Sequence, residues 1–82
     1  MSEYVRELKK QIAAKVAGIK FQDRGPTSFA LLKDNEVKAL VRDEGDYVVV
    51  SVGGKDYKYD KWYTKPQHLA ETLAIYLGAK GK

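Results

Sequence analysis

Cysteine is absent from this chain and histidine occurs once, as His68. No disulfide or thiolate site can staple the fold, and the redox compartment is left open. A zinc site needs several imidazole or thiolate ligands, so one histidine excludes it. His68 also has no cysteine or serine partner in the sequence that would make a nucleophile and its base. The Gly-rich phosphate loop, the nucleophile elbow and the metalloprotease signature are all missing. Asp43, Glu44 and Asp46 bunch around Gly45 without the spacing of a calcium loop, and the glycine is what a turn there requires. No catalytic residue, metal ligand, cofactor or small-molecule substrate is expected. No apolar run reaches the roughly 20 residues of a membrane span, and no charged-then-apolar leader opens the chain. The chain is therefore read as soluble and cytoplasmic.

What is present is an ordinary globular composition. Of 82 residues, 44% are hydrophobic and 32% are charged, which points to one folded domain over 1–82 rather than a disordered segment. A chain of this length lies near the lower limit at which a core holds without staples. The net charge of +4 suggests nucleic acid until it is located. Arg6, Lys9, Lys10, Lys15 and Lys20 exceed Glu3 and Glu7 in the first 20 residues. Residues 21–43 and 44–65 are each neutral, and Lys80 and Lys82 outnumber Glu71 at the end. The excess sits on the first helical segment and the tail, away from the centre of the chain.

The centre reads as three hairpins. Two-residue turns at Asp34-Asn35, Glu44-Gly45 and Gly53-Gly54 separate β-prone runs. Counting outward opposes Leu32 with Val37, Ala30 with Ala39, Val41 with Val48, Ala39 with Val50, Val50 with Tyr57, and Val48 with Tyr59. All of these share one side, because side chains alternate with period two. Strands are expected over 28–33, 36–43, 46–52 and 55–61. The flanks read as helices over 2–18 and 65–77, with 79–82 as a tail. Ser2 is a candidate N-cap, and Val5, Leu8, Ile12, Val16 and Ile19 recur at helical spacing. Asp23 to Pro26 reads as a loop. Thr64 and Gln67 suggest a capping box, Tyr63 a hydrophobic staple, Trp62 a cover for the end of the core, and Gly78 a left-handed stop. The expected fold is α+β, order α-β-β-β-β-α. Both helices cover the apolar sheet face formed by Val37, Val41, Val48, Val50, Val52, Tyr57 and Tyr59.

The same registers give the other face Phe29, Leu31, Leu40 and Val49, ringed by Lys38, Arg42, Tyr47, Ser51, Asp56, Lys58 and Asp60. If the first strand is slipped or bulged, Phe29 and Leu31 turn inward and only Leu40 and Val49 stay out. An apolar centre with a polar rim is the anatomy of an interface. Phe29, Leu31, Lys38, Leu40, Arg42, Tyr47, Val49 and Lys58 are its candidate contacts. Aliphatic side chains make good interface cores and poor platforms for bases, so the expectation is a non-catalytic domain that binds protein, a second copy first. The alternative is a nucleic-acid-binding accessory protein. It would use the basic flank of helix one, Arg6, Lys9, Lys10 and Lys20, or the aromatic and basic rim of the sheet.

Overall fold

A computed structural model describes residues 3–77. Helix α1 spans Glu3–Lys15, and strands β1 to β5 follow over Lys20–Gly25, Ser28–Lys33, Glu36–Asp43, Tyr47–Val52 and Lys55–Asp60. Helix α2 follows over Pro66–Tyr76. The strands form one antiparallel sheet in sequential order. The class is α+β as expected, with one strand more than the sequence pattern predicts.

The additional strand is β1. It holds a single apolar residue, Phe21, half-buried among exposed polar neighbours, so its alternation is too faint to read. Helix α1 stops before the expected 18: Val16 N–H still reaches the Ile12 carbonyl at 2.9 Å, and Gly18 then turns left-handed at φ +79°. That turn, which a side chain would strain, feeds the chain into β1, and Phe21 comes to oppose Leu31.

The β2–β3 hairpin contains the main correction. Its turn lies where expected, with Asp34 and Asn35 both at positive φ, as a two-residue primed turn demands. Leu32 opposes Val37, but the next pair is Leu31 with Ala39, so Lys38 is an extra residue on β3. This β-bulge exchanges the two sides of β2. Phe29 and Leu31, expected on the outer face, point into the core at 1% and 0% exposure, while Val37, expected in the core, is 47% exposed. The energies favour the exchange. Full burial of a phenylalanine contributes about 1.5–3 kcal/mol. Its edge-on contact with Phe21, at 5.9 Å between centroids, adds about 1. The ladder hydrogen bond lost at the bulge is worth about 1 kcal/mol.

The β3–β4 turn also moves. Glu44 N–H bonds the Tyr47 carbonyl at 2.8 Å, which centres the turn on Gly45-Asp46, with Gly45 at φ +85°. Moving a turn by one residue slides the register by two, so every side chain keeps its face. Val41 now opposes Val50 and Arg42 opposes Val49. The β4–β5 hairpin matches the expected pairs, Val50 with Tyr57 and Val48 with Tyr59.

Helices α1 and α2 share one core with the inner sheet face. Val5, Leu8, Ile12 and Val16 meet Leu69, Ala70, Leu73, Ala74 and Leu77 above Phe29, Leu31, Ala39, Val41, Val48 and Val50. Helix α2 begins at Pro66, and Lys65 at its N-cap makes no side-chain capping bond, so the Thr64–Gln67 box does not form. Instead Thr64 N–H bonds the Asp60 carbonyl at 2.9 Å, which winds residues 61–64 into a tight turn. The expected cap at Ser2 and stop at Gly78 lie outside the described residues.

Candidate functional site

Neither Ala30 nor Val49 belongs to the helix-covered core, yet Ala30 is 0% and Val49 9% exposed. Both sit on the outer face of the sheet. Val49 lies between Arg42 and Lys58, and Ala30 between Gln22 and Leu40. Long polar stems on neighbouring strands shield small apolar side chains in this way. Val49 is thus largely roofed, and with Phe29 and Leu31 turned inward the expected apolar centre shrinks to Leu40 and its surroundings. Leu40 is 38% exposed, and Leu32 beside the bulge is half-buried.

The charges of the face are largely tied locally. Arg42 Nε pairs with Glu44 at 3.2 Å, and Lys38 Nζ with Glu36 at 2.7 Å. That second hydrogen bond, with the attraction that accompanies it, lowers the Glu36 pKa and raises that of Lys38. Lys58 Nζ stands 4.2 Å from the centroid of the Tyr47 ring. On helix α1, Arg6 and Lys10 are exposed, as is Lys20 at the start of β1. Lys9 is occupied: it pairs with Asp23 at 3.3 Å and lies 4.7 Å over the Phe29 ring. The basic flank is therefore present but partly used to cover the Phe21–Phe29 edge of the core.

The largest exposed side chains are elsewhere. Trp62 and Tyr63, expected to cap and staple the core, stand out at 84% and 82% exposure. Both lie in the turn between β5 and α2, and two adjacent aromatics in so tight a turn cannot both reach the interior. That adjacency was the available signal in the sequence. The last rungs of the β4–β5 ladder place Tyr47 opposite Asp60, and Lys61 N–H bonds the Asp46 carbonyl at 3.0 Å. Together Gly45, Asp46, Tyr47, Asp60, Lys61, Trp62 and Tyr63 enclose an open groove of about 500 Å³. Its floor is held firmly. Asp60 Oδ1 accepts the Trp62 backbone N–H at 2.7 Å. Lys61 Nζ is 2.6 Å from Asp43 Oδ1, with side-chain exposures of 17% and 10%.

Tyr4 clamps the same turn from below. Its hydroxyl donates to the Thr64 carbonyl at 2.6 Å, and Lys61 Nζ lies 5.7 Å from its ring. Burial pushes the Tyr4 pKa up from 10.0 to about 12. The neutral phenol is the form the fold prefers, so this contribution to stability is complete below pH 10 and is lost as pH rises toward 12. Tyr4→Phe should lower the urea midpoint at pH 7 through loss of one hydrogen bond, worth about 1 kcal/mol. The gap between wild type and variant should close between pH 10 and 12. A gap that stays constant over that range would show that the Tyr4 hydroxyl is not held in this way.

His68 is exposed on α2. Among the described residues no cluster of three or more histidine, cysteine, aspartate or glutamate side chains could hold a metal ion. Among the same residues, no helix is long and apolar enough to cross a membrane. No protein-family model, curated protein or solved structure gives a significant match to this chain.

Proposed function

We propose that the chain is a non-catalytic protein-binding domain. Its contact surface is the outer sheet face with the aromatic end formed by Tyr47, Trp62 and Tyr63. The observation that carries this reading is the pair Trp62 and Tyr63, more than four-fifths exposed on a turn that is itself fixed by hydrogen bonds. Tryptophan and tyrosine are the side chains most often found as energetic anchors of protein interfaces. A fixed backbone under them reduces the ordering cost of binding. Leu40 and Val37 extend the apolar surface across the sheet. The non-catalytic part of the reading rests on the lone histidine and the missing cysteine.

A second copy of the chain is the partner proposed first. Two copies meeting through this face bring together local ion pairs rather than charge of one sign, whereas a phosphate backbone is bound chiefly by uncompensated lysine and arginine. Wild type should sediment as a dimer or larger species at micromolar concentration. Leu40→Lys combined with Trp62→Ser should run as a monomer with an unchanged far-ultraviolet circular dichroism spectrum. A strictly monomeric wild type would remove self-association and leave a different protein as the partner.

A further inference from the structure

We propose that the Tyr47–Trp62–Tyr63 groove receives a lysine or arginine side chain of a protein partner. This rests on the aromatic end being a contact surface, but not on the partner being a second copy. Three features of the groove select a cation. Three of its seven lining residues are aromatic, and the faces of such rings carry the negative part of the ring quadrupole and attract ammonium and guanidinium groups. One of these rings already holds such a group within the chain itself, Lys58 Nζ at 4.2 Å from the Tyr47 centroid.

The second feature is the sign of the lining charge. Asp46 and Asp60 both line the groove. Among the described residues neither carboxylate is in an ion pair. Among the described residues the one lining cation is Lys61, and its charge is matched by Asp43 at 2.6 Å. With Lys58 over the Tyr47 ring counted as well, Asp46 and Asp60 still leave the groove a net negative charge, although the chain as a whole is positive.

The third feature is rigidity. Asp60 is fixed by the Trp62 backbone N–H it accepts. Asp46 is tied through its carbonyl to Lys61. The Asp60 carboxylate and the backbone that carries the rings are therefore positioned before a ligand arrives, which lowers the ordering cost of binding. A nucleic acid could stack on the same rings, but its phosphates would meet Asp46 and Asp60 first.

Trp62 is the only tryptophan in the chain, so its fluorescence reports this groove alone. Blocked tetralysine, tetra-arginine and tetraglutamate peptides and an octathymidylate strand are titrated into full-length protein at moderate salt. The two cationic peptides should give saturable changes, and the anionic probes none. Asp46→Asn with Asp60→Asn keeps the acceptor oxygen that holds the turn and should weaken the cationic peptides about fivefold. Lys58→Met frees the Tyr47 ring of its internal ammonium and should strengthen them. An unchanged thermal melt shows that each variant is folded. No saturable response to either cationic peptide, a stronger response to an anionic probe, undiminished binding by the Asn variant, or weaker binding by Lys58→Met would each overturn the proposal. Sedimentation of the same samples separates the two readings. Peptide binding by a monomeric protein leaves the groove and removes self-association, and an oligomer without peptide binding does the reverse.

Discussion

Phe29→Ala should destabilise the domain by about 3–5 kcal/mol, the range found when a fully buried aromatic is cut back to alanine. Phe29 is among the largest fully buried side chains, 1% exposed, with its ring edge-on to Phe21 and the Lys9 ammonium 4.7 Å from its centroid. Alanine at this position removes the packing of all three groups at once and leaves β1 with little reason to stay paired. A domain of 82 residues has a total stability of about 4–12 kcal/mol. The loss is thus a large share of the whole, equivalent to a fall in Tm on the order of 20 °C. Urea and thermal unfolding of wild type and variant measure it. A change under about 1 kcal/mol, the ordinary result for a surface substitution, would mean that β2 pairs with β3 without the bulge and that Phe29 lies on the outer face.

The bulge marks the boundary of what the sequence makes legible. Turn residues and period-two alternation are local signals, and they give the Asp34-Asn35 turn and the β4–β5 register as observed. The helical stripe of α1 is equally plain, because Val5, Leu8 and Ile12 are all buried; on α2, Leu69, Leu73, Tyr76 and Leu77 have helical spacing, but Tyr76 is 49% exposed while the three leucines are buried. Lys38 carries no local mark of a bulge. It becomes the extra residue because Phe29 and Leu31 are worth more inside than Ala30 and Leu32, and that comparison involves the helices and β1 as well as the hairpin. β1 is hidden for a related reason. As an edge strand with one apolar residue it depends on Phe21 meeting Phe29 and Leu31, a contact that exists only once the bulge has formed.

The candidate site divides along the same line. Leu40, Arg42, Tyr47 and Lys58 lie on the outer face as the alternation predicts, since a register slide of two residues cannot move a side chain across the sheet. Val49 is on that face too, but the stems of its neighbours hide it. The groove was obscured by a plausible capping pattern. Thr64 and Gln67 have the spacing of a capping box, which would place Tyr63 against the helix. The backbone bond from Thr64 to Asp60 winds the chain the other way and leaves Trp62 and Tyr63 outside.

Val50→Asp should abolish the folded state at neutral pH, while Val49→Asp should leave it intact. The two positions are adjacent on β4 and differ only in the side of the sheet they face. Val50 is 1% exposed, between Val41 on β3 and Tyr57 on β5, with the helices above it. A carboxylate there loses its hydration and finds no cation, a cost of several kcal/mol that consumes most or all of the stability. Protonation should restore part of it, so Val50→Asp should gain structure as pH falls below the carboxylate range, where most proteins lose it. Val49 has Arg42 on one side and Lys58 on the other. Aspartate at that site meets two cations at the sheet surface, and the change in stability should stay within about 1 kcal/mol. Far-ultraviolet circular dichroism and thermal melts at pH 7 and pH 3 distinguish the pair. A folded Val50→Asp beside an unfolded Val49→Asp would mean that the two faces of the sheet are exchanged. In that case Leu40 and Tyr47 would belong to the core, and the outer surface proposed for binding would not exist.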